Sequence, residues 1–254
     1  MSDDTREYGT GPVLVTGGSS GIGLGVAEAV AATGRPVAIL GRSAEKCAAA
    51  TQQVSRGGSR AVMGIAADVK NPQDLDRAVQ EVNSRWGTVE GLVTAAGVLL
   101  PGGLQEVDLD DFRKAFEANV LGTWSAVRAV TPGMLGQGFG RIVTIGSVLA
   151  TVGAPERAAY AATKGAVTAM TRSLALDLAG SGVTINCIAP GPVRSAMNAA
   201  SAGSEAQRAF TAKIPLGRWG TPAEVAHMVI PLLGAGAAFT TGSVVHVDGG
   251  YTSQ

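Results

Sequence analysis

The sequence predicts an α/β fold, a doubly wound parallel sheet with helices on both faces in a single domain. Three observations carry this. Short runs rich in β-branched residues alternate with longer alanine-rich stretches from Gly11 to the C-terminal end. Those runs lack polar alternation, as strands covered on both faces do. The 36 glycines among 254 residues have no Gly-X-Y period, and 46% of residues are hydrophobic. That glycine share is about twice the usual 7%, yet neither a collagen-like nor a disordered chain fits it.

Composition excludes further classes. Twenty Lys+Arg balance twenty Asp+Glu, so no strong field draws the chain onto nucleic acid or an anionic membrane. Cys47 and Cys187, with His227 and His246, supply neither a disulfide framework nor a spaced metal cluster, and no metal site is expected. Residues 1–10 are polar and acidic and read as a flexible leader without a targeting segment. No apolar stretch is long enough to span a bilayer, so a cytoplasmic protein is expected. Residues 11–254 hold no linker, charge block or repeat, which makes them one domain.

The elements follow in order. The first strand, residues 12–16, runs into Thr16-Gly17-Gly18-Ser19-Ser20-Gly21-Ile22-Gly23 and then a helical stretch at 24–33. Such a strand–turn–helix junction brings backbone N–H groups and the positive end of a helix dipole to a pyrophosphate. Its Gly-x3-Gly-x-Gly spacing is neither G-x-G-x-x-G nor a P-loop. The second strand, 36–40, ends in Gly41-Arg42-Ser43. An NAD site usually carries an acid there for the ribose hydroxyls. Gly41 leaves no carboxylate to repel a 2′-phosphate, and Arg42 offers it a guanidinium. Ser43 offers a hydroxyl and a cap for the next helix. The expected cofactor is NADP(H), ahead of NAD(H); the plainer reading of Arg42 is a solvated surface arginine.

The third strand, 61–66, leads to Asp68-Val69 and then Asn71-Pro72, an N-cap followed by proline at the first helical position. The fourth, 91–94, runs into Ala95-Ala96-Gly97, small residues that let the backbone pass close to a ligand. Asn119 falls within a helical stretch at 110–130, where asparagine has no propensity advantage. The fifth strand, 141–145, ends before Ser147, at the edge where open α/β sheets place ligands. The next helix begins near Arg157 and carries Tyr160 and Lys164, whose i, i+4 spacing puts both on one face. A free phenol titrates near about 10, and a fixed ammonium beside it is expected to lower that value. After the sixth strand, 183–188, residues 191–216 are small, polar and irregular and read as a substrate lid. Thr221-Pro-Ala-Glu224 is a capping box for the last helix, and 243–247 is the final strand.

In order and spacing these motifs resemble the short-chain dehydrogenase/reductase family. Thr16-Gly-x3-Gly21-Ile-Gly23, Asp68-Val69, Ala95-Ala96-Gly97, Asn119, Ser147, Tyr160-x3-Lys164, Pro190-Gly191 and Asp248-Gly-Gly250 carry the likeness over essentially the whole chain from Gly11. The resemblance implies a Rossmann-type sheet. It implies a cofactor site made by Gly17, Ser19, Ser20, Gly21, Ile22, Gly23, Arg42, Ser43, Asp68, Val69, Ala95, Ala96, Gly97, Tyr160, Lys164, Pro190, Gly191, Val193 and Ser195. Asp68 would lie beside the adenine; read from the residues alone it is a helix-capping aspartate near Asn71. It also implies a catalytic tetrad. Tyr160 would be the general acid/base, Lys164 would hold the nicotinamide ribose, Ser147 would orient the substrate oxygen, and Asn119 would position a relay water.

The implied reaction is reduction of a ketone, or oxidation of a secondary alcohol, on a small-molecule substrate. Chain length and motif order resemble the 3-oxoacyl-carrier-protein reductase group, with a broad carbonyl reductase as its near variant. Residues 214–220 also resemble gluconate 5-dehydrogenase-type polyol and sugar-acid enzymes. A non-catalytic NADP(H)-binding sensor is the alternative of another class. The family further implies a homotetramer, with helices at 109–131 and 158–179 pairing between subunits and the C-terminal strand at a second interface. Two positions depart from the family: Thr94-Ala95 stands where asparagine is usual, and Ser195 where threonine is common. Substrate choice is expected to rest on 98–103, 148–157 and 191–216. Val148, Leu149, Val152, Met197 and Phe210 make that rim apolar, with Arg157, Arg194 and Arg208 as candidate anion contacts against a plainer reading as solvated surface.

Overall fold

The computed structural model describes residues 9–58, 61–194 and 205–253. Its strands are β1 (Val13–Thr16), β2 (Val37–Gly41), β3 (Val62–Ala66), β4 (Gly91–Thr94), β5 (Gly140–Ile145), β6 (Val183–Pro190) and β7 (Val244–Val247). They form one sheet in the order β3-β2-β1-β4-β5-β6-β7, with every pairing parallel. The helices are α1 (Gly21–Ala32), α2 (Ala44–Arg56), α3 (Pro72–Trp86), α4 (Leu109–Phe116), α5 (Gly122–Gln137), α6 (Ala158–Asp177), α7 (Glu205–Thr211) and α8 (Pro222–Leu233).

Why the central strands read as unbroken apolar runs is plain from the two cores. Successive side chains of a strand point to opposite faces. Leu14, Leu40, Leu92, Ile142 and Ile185 enter one core with Leu75 and Val82 of α3 and Val127 and Met134 of α5. Val13, Val15, Ile39, Val93 and Val143 enter the other with Val26 and Val30 of α1 and Val225 and Val229 of α8. Coverage on both faces holds for β1, β2, β4, β5 and β6, whose residues are all buried. The sheet's outer strands depart from it: β3 exposes Gly64 and Ala66, and β7 is only half-buried.

The helix starts follow the sequence signals. Asn71 accepts from Gln73 N–H (3.2 Å), and Thr221 and Glu224 satisfy each other's backbone N–H groups (2.8 and 3.2 Å). Helices α1 and α8 touch through Gly25, where an added Cβ would lie 3.0 Å from the Pro222 carbonyl carbon. The stretch expected as one helix at 110–130 is different. It is α4, then a π-helical turn at Glu117–Leu121, then α5, which runs through Pro132 to Gln137. Gly138, at φ 70°, ends it in the left-handed conformation that favours glycine. The segment expected to be irregular at 191–216 contains α7, and Val193 bridges to Gly220. Residues 1–8 of the expected leader lie outside the described residues.

Two buried arginines hold the sheet's N-terminal end together. Arg35 donates to the carbonyls of Gly11 (3.0 Å) and Leu233 (3.0 Å) and lies 3.5 Å from the Glu90 carboxylate. Glu90 also accepts from Gly11 N–H (2.7 Å). Arg141 donates to the carbonyls of Gly234 (3.0 Å), Gly140 (2.8 Å) and Gly182 (3.0 Å) and stacks over Phe139. Burial lowers the pKa of both arginines, but an arginine starts too high to lose its charge. The last carbonyls of α8 thereby gain cationic donors at the negative end of its dipole. Removing a buried, hydrogen-bonded charge leaves its partners stranded. Arg35→Met should therefore lower the unfolding free energy by about 3 kcal/mol, measured by urea denaturation.

Candidate active site

At the opposite, C-terminal end of the sheet lies a cleft of about 590 Å³. The chain leaves β1 for β2 on one side and later returns to place β4 on the other. Loops from adjacent strands diverge at such a switch point, which opens a crevice. The turn after β1 is shaped to let something approach its backbone. Gly17 has φ 67°, and an added Cβ would lie 2.6 Å from Ala96 N; at Gly23 it would strike the Gly17 carbonyl oxygen. Ser20, the N-cap of α1, makes no side-chain capping bond, so the first N–H groups of that helix are left to the cleft. At Gly41 an added Cβ would lie 2.8 Å from Ser19 Oγ, the free end of a rotatable side chain.

The cleft gathers most of the residues singled out in the sequence. Gly17, Ser19, Ser20, Gly21, Ile22, Gly23, Arg42, Asp68, Val69, Ala95, Ala96, Gly97, Ser147, Tyr160, Lys164, Pro190, Gly191 and Val193 all line it. Ser43 does not; its hydroxyl accepts from Lys46 N–H (3.2 Å) as the cap of α2. Asn119 stands behind the wall, 1% exposed. Ser195 and Met197 lie outside the described residues. Of the three rim arginines only Arg157 lines the cleft. Leu99, Pro101 and Gln207, from the segments expected to set substrate choice, line it too, as do Lys70 and Trp219, which were not singled out for the cleft. For Lys70 a signal existed: a lysine two residues past Asp68, whose carboxylate accepts from Lys70 N–H (3.0 Å) and turns the chain there.

The four polar residues of the tetrad are linked through backbone groups. Ser147 Oγ accepts from Leu149 N–H (3.1 Å), which leaves the serine proton to donate toward Tyr160. Lys164 Nζ donates to the Ile145 carbonyl (2.8 Å) at the end of β5 and lies 5.8 Å from the centre of the Tyr160 ring. Asn119 clamps the loop after β4: Oδ1 accepts from Val98 N–H (2.7 Å), and Nδ2 donates to the Val98 carbonyl (3.0 Å) and to Thr163 Oγ1 (3.0 Å). The π turn carries Asn119 inward, and its own carbonyl accepts from Thr123 Oγ1 (2.8 Å). Thr94 has a buried hydroxyl with no partner. In its stead Thr16 holds the loop, accepting from Ala95 N–H (3.1 Å) through its carbonyl and from Ala96 N–H (3.3 Å) through its hydroxyl.

A family model described as Enoyl-(Acyl carrier protein) reductase matches residues 17–252. The chain is 39% identical over 246 residues to 2-(S)-hydroxypropyl-CoM dehydrogenase 3 of Xanthobacter autotrophicus, covering 95% of this chain and 96% of that one. It is 36% identical to the 3-oxoacyl-[acyl-carrier-protein] reductase MabA of Mycobacterium bovis, covering 94% and 91%. It belongs to the short-chain dehydrogenase/reductase family. Among solved structures, an actinorhodin polyketide ketoreductase with NADPH superposes with a TM-score of 0.91 at 33% identity, covering 96% of this chain and 98% of that one. This short-chain dehydrogenase/reductase is an oxidoreductase of the kind that acts on CH–OH and keto groups. Among the described residues no group of three His, Cys, Asp or Glu could hold a metal ion, and no helix is long and apolar enough to cross a membrane.

The electrostatics of this family member correct one expectation. The Lys164 ammonium was expected to pull the Tyr160 phenol down toward neutrality. Burial instead pushes Tyr160 up to about 12, with the Ser147 hydrogen bond acting against it. Burial also lowers Lys164 to about 8. Loss of water around each charged form outweighs their mutual attraction, and the ammonium is engaged with the Ile145 carbonyl rather than the phenol. Tyr160 is thus held protonated across the neutral range. Because Lys164 lies below its ordinary 10.5, an unfolded chain binds a proton between about 8 and 10.5 that the folded one has released. The stability of the wild type relative to Lys164→Met should therefore rise with pH through that window and fall again as pH drops through about 8. Urea titrations at the two ends should show a change on the order of 2 kcal/mol.

Proposed function

We propose that the protein is an NADP(H)-dependent ketoreductase that reduces a ketone, or oxidises the matching secondary alcohol, with Tyr160 as general acid/base. The observation that carries this is the convergence of Ser147, Tyr160 and Lys164 on one cleft wall, with Asn119 clamped behind them. The cleft fits a dinucleotide. Gly17 and Gly23 clear the backbone, and the uncapped N-terminus of α1 suits a pyrophosphate. Arg42 is exposed at the mouth without an ion pair among the described residues, Lys70 lines the same cleft, and Gly41 contributes no carboxylate. That surplus of positive charge suits a 2′-phosphate, and so NADP(H) over NAD(H). Relatives named as reductases and a structural neighbour with NADPH support the same choice.

When bound, the reduced nicotinamide supplies the hydride. This chain's own residues do the remainder. Ser147 donates a hydrogen bond that orients the substrate oxygen, and Tyr160, held protonated, gives its proton to that oxygen. The charge left on Tyr160 is offset by the Lys164 ammonium, and Asn119 fixes the loop that borders both. A non-catalytic sensor has no use for a buried lysine beside a buried phenol. Leu149, Val152 and Phe210 pack around Val148 and Tyr251, and such walls favour a less hydroxylated substrate than a polyol or sugar acid. We also propose the homotetramer, since Leu109, Phe116, Leu121 and Trp124 leave an apolar stripe exposed along α4, the π turn and α5.

Tyr160→Phe should lower kcat about a thousandfold while NADPH still binds, as read by cofactor fluorescence. For the wild type, kcat/KM for ketone reduction should be level below about 7.5 and fall tenfold per pH unit beyond about 8, as Lys164 loses its proton. Level activity to pH 10 would dissociate Lys164 from the step. Arg42→Asp should raise KM for NADPH at least tenfold and lower it for NADH; an unchanged ratio would overturn the choice of cofactor.

A further inference from the structure

We propose that Arg157 is a specificity-determining residue, and that it selects substrates bearing a terminal acid group, carboxylate or sulfonate, a few bonds from the reacting carbonyl. This rests on the ketoreductase reading and names the substrate class for the same cleft.

Arg157 is the N-cap of α6, three residues before Tyr160, and both side chains line the cleft. One helical turn, about 5 Å, separates their attachment points. The residue as a whole is half-buried, and among the described residues its guanidinium makes one hydrogen bond, an exposed one to the neutral carbonyl of Glu156 (2.7 Å). No carboxylate pairs with it among the described residues, although Glu156 is adjacent in sequence. The Glu106 carboxylate is taken up by Gly103 N–H (3.0 Å). A cation in a cleft walled by Val148, Leu149 and Phe210 is an unspent recognition element.

The backbone supports the same reading. Glu156 is the only non-glycine residue with positive φ among the described residues, at 57°. That conformation is costly for glutamate and persists where surrounding structure demands it. Here it aims one carbonyl at two donors, Arg157 and Gly102 N–H (3.0 Å), so the loop after β4 and the arginine are fixed together. The other rim arginines do not share the role. Arg194 does not line the cleft, and Arg208 borders a different hollow.

A fitting probe carries its acid group a few bonds from the carbonyl carbon. Levulinate and 3-oxobutanesulfonate carry such a group; the methyl ester of levulinate is the neutral match. With NADPH, the wild type should prefer both anions over the ester by at least tenfold in kcat/KM. Arg157→Gln should raise KM for the anions about 10- to 100-fold with kcat held, and leave the ester within about twofold. Arg157→Lys should recover part of the loss. The two anions differ in acid group alone, so their ratio assigns carboxylate or sulfonate. Equal effects on ester and anions, or no effect on either, would overturn the proposal. If the wild type reduces no ketone, the ketoreductase reading falls. The anion site is then decided by calorimetric titration of levulinate into Tyr160→Phe with NADPH. Binding that disappears with Arg157→Gln supports the site, and binding that ignores it, or none, refutes it.

Discussion

A lysine ammonium buried against a strand-end carbonyl is the interaction on which the site depends. Lys164 is 7% exposed and donates to the carbonyl of Ile145, the last residue of β5. Taking an ammonium out of water is costly, and burial accordingly draws its pKa down to about 8. The position holds because its neighbourhood is over-determined. Thr163, the preceding residue on α6, is bound by Asn119, and Asn119 in turn fixes Val98 on the loop after β4. Asn119 reaches that far because the helix carrying it widens into a π turn, a distortion that recurs at functional sites. The strain of the turn and the cost of the charge are borne by the two cores on either side of the sheet.

The two ends of the sheet treat charge in opposite ways. At the N-terminal end Arg35 and Arg141 are nearly dry, and their donors are committed to carbonyls of the neighbouring chain segments. They act as cross-links. At the C-terminal end Arg42, Lys70 and Arg157 border open space, and among the described residues Asp68 is the one carboxylate lining that space with them. A positive cleft with few counter-ions favours anionic ligands before any specific contact forms. On the proposed function that field serves the cofactor phosphates at one end and the substrate's acid group at the other.

Much of this was legible in the residues because the signals are local. Burial on both faces wrote the central strands as apolar runs, Asn71-Pro72 and Thr221-Pro-Ala-Glu224 marked their helices, and i, i+4 spacing placed Tyr160 with Lys164. What escaped depends on distant parts of the chain. Nothing around Asn119 announces a π turn, since the i to i+5 pattern is selected by packing on α6 and the β4 loop. The helical stretch expected to end at 130 instead runs on through Pro132 to Gln137 as α5. Ser43 offers the same hydroxyl to a cap or to a ligand, and only the backbone direction after β2 decides between them. Gly41 read as the absence of an acid, and only the fold shows how close Ser19 comes to it.

The phenol and the ammonium show most clearly where local reasoning ends. Spacing says that the two groups are neighbours, and Coulomb attraction between neighbours lowers a phenol's pKa. Spacing does not say how much water each group loses, and here that loss is the larger effect on both. The consequence bears on direction. A phenol at about 12 keeps its proton until a substrate oxygen takes it, and the ammonium is charged below about 8 to meet the phenolate that forms. For alcohol oxidation the same phenol would first have to be ionised against its burial. The resting site therefore holds the proton that ketone reduction, in the proposed chemistry, takes from Tyr160.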